Sequence, residues 1–382
     1  MALEGPSEIR GIEGGISRII ALDMQGFLIK RLLYGLLVLF GVITLVFILF
    51  NILPGDPARM MLGQRAEISS VEAIHKDLGM DKPLISQYLN FLNDISPVSF
   101  HNNQDPENYW YLSDEKYSPY FKLLSVGKTS LVIKMPYLRK SYQTKREVAE
   151  IIAEAFPKTL LLAIVAMTFA FIVGVIVGIF SALKKDGIFD RAAMVLSVLG
   201  MSLPSFFAAI IIAWVFAFLL SDFTGLNMTG SLYTVDDFGR GEYISLKNLI
   251  LPAFTLGIRP LGVIVEMTRN SLLEVMSQDY IRTARAKGLS EFRVVTRHAL
   301  KNALNPVVTA VSGWFASLMA GAVFVEYVFD WKGIGVVIVD ALEKYDFPVI
   351  MGTVLFISVI LIIINILTDI TYVLLDPRVR LE

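Results

Sequence analysis

Cysteine is missing altogether from this 382-residue chain, which excludes disulfides, thiolate metal sites and a cysteine nucleophile. Histidine is nearly missing. The three that occur, His75, His101 and His298, stand too far apart for a metal-ligand spacing, so no metal site is expected. Charge is scarce: 18% of residues are charged, against about 25% in ordinary soluble domains. The charges cancel to −1, so the total gives no sign of nucleic acid, and no such partner is expected. No Ser/His/Asp constellation and no HExxH pattern is present, which leaves hydrolytic catalysis without support. The only Gly-Lys-Thr is Gly127-Lys128-Thr129, and Lys122 stands where the first glycine of a nucleotide-binding loop must be. The chain is not expected to be an enzyme.

What the chain has in quantity is apolar sequence. It is 55% hydrophobic with a mean hydropathy of +0.61, which marks a polytopic membrane protein. Residues 1–29 read as a polar to mildly amphipathic tail, and Lys30-Arg31 stands at its end. Residues 32–51 are an apolar run of about 20, enough at about 1.5 Å per residue to span roughly 30 Å of hydrocarbon. We assign a first transmembrane helix to 30–53. The run is too long for a signal core, and 51–57 offers no small-x-small cleavage site, so it reads as uncleaved.

Residues 54–147 form a polar region. Within it, 78–83 reads as a turn and 84–92 as a short amphipathic helix. Residues 94–140 read as irregular and aromatic-rich (Tyr109, Trp110, Tyr111, Tyr117, Tyr120, Phe121), and 148–156 as helix ending before Pro157. Five further spans follow at about 160–183, 192–220, 249–267, 307–328 and 349–375. The expectation is an all-α fold with six transmembrane helices, a transmembrane domain over 148–376, and a short tail over 377–382. Six crossings put both termini on one side.

Lysine and arginine decide which side. One set of short segments holds Lys184, Lys185, Arg191, the stretch from Arg269 to Lys301, and Arg378 and Arg380. The opposite short loops hold only Arg240, Lys247, Lys332 and Lys344. The positive-inside rule makes the first set cytoplasmic, together with both termini, and turns 54–147 outward.

The densest basic insert is the loop 276–301. Residues 278–286 are good helix formers, with Asp279 near the positive end of the helix dipole. Gly288 supplies a stop, and Ser290-Glu291 a cap and acidic start for a second helix. Ala284, Ala286 and Gly288 are small enough for another backbone to approach, while Arg282, Arg285, Lys287 and Arg293 surround them with charge. A bare topological loop of basic residues is the competing reading.

The run Asp279-Tyr280-Ile281-Arg282-Thr283-Ala284-Arg285-Ala286-Lys287-Gly288, continuing through 298–306 to Pro306, resembles the EAA loop of ABC importer permeases. More narrowly it resembles the dipeptide/oligopeptide/nickel permease family, in the form of the first, B-type subunit. Leu53-Pro54-Gly55-Asp56-Pro57-Ala58, the stretch 78–89, the ending 346–352, Asn365, Asp369 and Asp376-Pro377-Arg378-Val379-Arg380 fit the same subunit. The resemblance implies the type I ABC importer permease fold and an inner-membrane subunit of a prokaryote. It implies ATPase coupling through Asp279, Tyr280, Arg282, Thr283, Ala284, Arg285, Ala286, Lys287 and Gly288. It also implies four kinds of partner: a homologous second permease, two ATPase subunits that hold ATP and Mg, an extracytoplasmic binding protein, and membrane lipid. No cofactor belongs to this chain. The cargo is di- or oligopeptide, with nickel as the alternative within the family, although the few histidines do not favour it. An ion-gradient transporter is a rival class, but its inverted repeats are not visible.

Several residues depart from the family pattern. Residues 95–135 look inserted, either as a docking surface for a binding protein or as a cap that packs its aromatics inward. Arg259 falls about ten residues into the fourth span, as a contact for an anionic substrate group or as part of an interhelical ion pair or backbone-carbonyl contact. Glu266 lies three before Arg269, a spacing at which the two can pair. Asn365 and Asp369 share a helix face, as interhelical glue or as path lining, and with Arg259 they are the candidate path residues. Pro204 is expected to kink the third span, and Asn227-Met228-Thr229 matches a glycosylation acceptor.

Overall fold

The computed structural model describes residues 6–51, 82–106, 108–235 and 241–375. The motifs at 53–58 and 78–81, His75 and the tail after 375 lie outside the described residues. The chain divides into two compact units, one formed by Phe40–Thr159 with Asp330–Ser358 and one by Met1–Leu39, Leu160–Phe329 and Val359–Glu382.

Helix α1 runs over Pro6–Asn51, so the 1–29 tail is helical from Pro6 onward, and its apolar stretch is Ile29–Phe50. In the first unit its distal part meets α2 (Leu84–Ile95) and the start of the last helix. Val46, Phe47, Phe91, Met351 and Leu355 form one buried cluster there, with Tyr88 and Ile95 against it.

The region read as irregular contains a small antiparallel sheet of order β1-β3-β2, with β1 over Val98–Asn102, β2 over Tyr120–Val126 and β3 over Thr129–Lys134. Gly127-Lys128 is the two-residue turn between β2 and β3, which gives the Gly-Lys-Thr match an ordinary hairpin role. Alternation along β1 and β3 is strict, but it is polar side in. Ser99, His101, Ser130, Val132 and Lys134 are buried, while Val98, Phe100 and Ile133 face out.

The reason is Asp94 on α2, which is buried. Its carboxylate accepts from Tyr109 (2.7 Å) and Tyr117 (2.8 Å), with Lys116 at 3.4 Å and Arg139 at 3.8 Å. Lys134 donates to the Asp94 carbonyl. Trp110 Nε1 donates to Asn90 Oδ1 at 2.7 Å. Tyr109, Trp110 and Tyr117 therefore turn inward, while Phe121 remains exposed. Burial, partly offset by Asp94, pulls Lys134 down to about 8, and burial pushes the Tyr109 and Tyr117 phenols up.

Helix α3 (Val148–Leu183) runs through Pro157, where the sequence reading ended it. Tertiary bonds hold that turn: Trp331 Nε1 donates to the Lys158 carbonyl at 3.0 Å, and the Ile334 amide to Thr159 Oγ1 at 2.8 Å. Asp346 accepts from Ser141 Oγ and from the Tyr142 and Gln143 amides, tying the 141–143 strap to the chain ahead of the last helix.

In the second unit the third span is two helices, α4 (Ile188–Ser202) and α5 (Ser205–Leu219), bent by 113° across Leu203-Pro204. The kink expected at Pro204 is a full break. A short hairpin, β4 (Tyr233–Val235) and β5 (Glu242–Ile244), precedes α6 (Lys247–Met276). Asn227 is not free beside it, since its amide donates to Asn248 Oδ1 at 2.8 Å. Helix α6 is close-packed against α4: a Cβ on Gly262 would stand 2.7 Å from the Ser197 carbonyl oxygen. Small residues at such crossings let backbones approach within a membrane. Then come α7 (Asp279–Ala286), α8 (Asn305–Phe329), α9 (Ile334–Glu343) and α10 (Phe347–Leu375). Among the described residues, four helices are long and apolar enough to cross a membrane, or six if each of the two bent pairs is one span.

Candidate functional site

The basic loop folds as helix, corner, helix. Gln278 is extended at the N-cap of α7, and Asp279 occupies its first turn. The helix ends at Lys287, and Gly288 turns the chain at φ +76°, a left-handed conformation that side chains other than glycine enter only with strain. Beyond it come Glu291–Arg293, a π-helical stretch Val294–Ala299 and a turn Leu300–Ala303. Ser290 has the extended backbone of a cap, but its hydroxyl makes no cap bond.

Helical spacing sorts α7 into two faces. Ile281 is fully buried and Ala284 nearly so, in a cluster with Leu272, Val294, Val295, Ala299 and Ala303. Ala284 therefore packs on its own chain and is not available to a partner, contrary to the grouping with Ala286 and Gly288 suggested by size. A Cβ on Gly288 would meet nothing within 4 Å, so its requirement is conformational.

The charges also divide. Arg285 bridges to Glu291 across the corner through Nε–Oε1 at 2.7 Å and Nη2–Oε2 at 3.3 Å, and so is engaged within the loop. Arg282 reaches Asp279 at 3.3 Å, and Thr283 returns its hydroxyl to the Asp279 carbonyl. Lys287 and Arg293 make no ion pair among the described residues. Tyr280 is exposed, and its hydroxyl accepts from Asn302 at 2.9 Å.

Sequence reasoning missed Phe292, which is 77% exposed beside Gly288 and Arg293. The signal was an aromatic in an otherwise basic, water-facing run. Tyr280, Arg282, Lys287, Phe292 and Arg293 are all exposed on this loop, two aromatic rings among cationic side chains.

The root of this loop is fixed by an ion pair that sequence spacing did not find. Arg269 does not pair with Glu266. Its Nε and Nη2 donate to both oxygens of buried Asp190, at 2.6 and 2.7 Å. Asp190 also accepts the Asp186 amide at 2.9 Å. Glu266 stays exposed, on the same side of α6 as Arg259 and Asn270, a spacing of seven and then four residues. No carboxylate lies within 4.0 Å of Arg259 among the described residues, so the ion pair foreseen for it within this chain is not found.

Asp369 pairs with Arg31 at 3.0 Å, and Asn365 shares with them a cleft of about 440 Å³ bounded by Tyr34, Gly35 and Thr368. The pair is interhelical, between α1 and α10.

Residues 174–381 match the family described as binding-protein-dependent transport system inner membrane component, and residues 24–105 match the N-terminal family of the same membrane components. The chain is 35% identical to the di/tripeptide transport system permease protein DppB of Pseudomonas aeruginosa, over 94% of this chain and 99% of that protein. It is 36% identical to the glutathione transport system permease protein GsiC of Pectobacterium atrosepticum, again over 94% and 99%. Among solved structures, the inward-facing MetNI methionine ABC transporter is similar at 17% identity and a TM-score of 0.48, covering 59% of this chain and 96% of that one. With a family match over more than half its length and such relatives end to end, the chain belongs to the inner membrane components of binding-protein-dependent transport systems.

Proposed function

We propose that this chain is the first of two permease subunits in an ATP-driven importer of di- and oligopeptides, and that loop 276–301 is its coupling surface. The observation that carries the coupling is the exposed corner. A bilayer-spanning chain otherwise poor in charge presents Tyr280, Arg282, Lys287, Phe292 and Arg293 to water while Ile281 and Ala284 root the same helix in its own core. Such a surface suits an ATPase subunit with an apolar groove and an acidic rim.

In this reading the corner and both termini are cytoplasmic, and two ATPase subunits hold the ATP and Mg. A homologous permease completes the path, and a binding protein delivers cargo from the other side. The similarity to permeases of di/tripeptide, dipeptide and glutathione systems supports peptide cargo. Arg259, Glu266 and Asn270 would line the path, since a polar stripe on a span facing away from its own chain is stable only against water, cargo or a second subunit. Asn365 and Asp369 act with Arg31 as interhelical fastening.

The test is copurification of the chain with its neighbouring gene products. The expected result is a complex containing an ATPase, which Phe292→Ala weakens at least tenfold without loss of folded permease. Recovery of no ATPase, or uptake that persists without ATP, refutes the reading.

A further inference from the structure

Helix α2 sorts its residues into three sectors at 3.6 residues per turn. Tyr88, Phe91 and Ile95 pack on α1 and α10. Asn90 and Asp94 are bonded by Trp110, Tyr109 and Tyr117, and Asn93 by the Phe100 backbone. The third sector, Ile85, Leu89 and Leu92, carries no polar atom beyond the backbone; Ile85 is 77% and Leu89 48% exposed, and Leu92 is half-buried.

Depth decides what covers it. The Tyr88 hydroxyl lies 2.6 Å from Thr44 Oγ1, and the Phe47 ring stacks at 5.0 Å on Tyr88 and 5.9 Å on Phe91. Thr44 and Phe47 lie inside the apolar crossing stretch Ile29–Phe50. At about 1.5 Å per residue they are about 9 and 5 Å inward of its Phe50 end. The last helix gives the same answer independently: Met351 and Leu355, in the same cluster, are about 6 and 12 Å inward of Phe347, where α10 begins. Amphipathic helices that rest in a bilayer surface sink their apolar faces by about 5–10 Å.

We propose that α2 is an interfacial helix, embedded in the leaflet at the Phe50 end of α1, with Ile85, Leu89 and Leu92 against acyl chains. The polar sheet region bonded to Asn90 and Asp94 then stands on the headgroup side. A protein occupant fits less well, because three aliphatic side chains fall far short of the ~800 Å² per side of a specific protein interface.

The absence of cysteine from the chain makes site-directed spin labelling direct. Labels would be placed by Ile85→Cys and, separately, Leu89→Cys in the full chain, copurified with its partners (their own cysteines replaced) and reconstituted in phospholipid bilayers. Both positions are exposed, so the fold should tolerate the label. Leu45→Cys on the exposed side of α1 and Lys128→Cys at the hairpin turn serve as references for lipid and water. The expected result is an oxygen-to-nickel-chelate collision ratio at 85 and 89 that is severalfold above that at 128 and close to that at 45. A ratio equal to that at 128 overturns the proposal, because the helix is then in water. Shielding from both reagents overturns it as well, because a protein then covers the stripe.

Discussion

Breaking the Asp190–Arg269 pair tests how firmly the base of the proposed coupling loop is held. Asp190 is 2% exposed, and both its oxygens are taken by one guanidinium at 2.6 and 2.7 Å, the bidentate geometry in which charge-assisted bonds are strongest. Removing one partner of a fully buried pair costs about 3–5 kcal/mol. The Arg269 side chain retains some exposure, so about 2–4 kcal/mol is the appropriate range for Asp190→Asn, which keeps shape and removes charge. A double-mutant cycle with Arg269→Gln, read by denaturant unfolding in mixed micelles, should give a coupling energy of at least about 1.5 kcal/mol. Glu266→Gln is the control and should leave stability unchanged, because Glu266 does not meet Arg269. A coupling energy below about 0.5 kcal/mol, the range of exposed pairs, would refute the reasoning.

Gly288→Ala should cost the corner about 1–2 kcal/mol of backbone strain and lower transport per ATP hydrolysed, whereas Gly288→Asn, which enters the left-handed region more readily, should retain more coupling. Equal behaviour of the two variants would argue against the conformational role. His101 is held down from 6.5 to about 4, chiefly by burial and then by the Lys134 charge. The unfolded chain therefore takes up a proton below about pH 6.5 that the folded chain refuses. This contribution is intact above that pH and is lost as pH falls toward 4, up to about 3 kcal/mol. The thermal midpoint should fall between pH 7 and 4.5, and fall less in His101→Gln; an identical fall in both counts against it. Arg259→Met should change the affinity or range of peptides taken up while ATPase binding stays normal, and unchanged uptake would remove Arg259 from the path.

The spans were legible because a membrane-crossing helix writes itself as about 20 consecutive apolar residues, and the corner because glycine after a helical run marks a stop. Side-chain partnerships were not. Glu266 stands at helical pairing distance from Arg269, yet Asp190, some 80 positions earlier in the chain, captures the guanidinium because it offers a buried, bidentate site. The size of Ala284 suggested an open contact, although only the three-dimensional position of Val294 and Val295 reveals that it is filled. The sheet was invisible for a related reason. Its polar side faces in toward Asp94, so the alternation that normally marks a strand by its apolar core read as loop. Pro157 and Pro204 illustrate the same limit: one lies inside a helix and the other breaks one, and the difference is whether tertiary bonds catch the adjoining turn.

The Arg285–Glu291 bridge spans the bend that Gly288 makes in the basic loop. With the bridge closed, the arms on either side of Gly288 are cross-braced, and Ile281 on one arm and Val294 and Val295 on the other share a single packed root. In mechanical terms the bridge cross-links the two arms of the bend. Under the proposed coupling role, opening the brace would leave the packed root in place and separate a loop that binds from a loop that transmits.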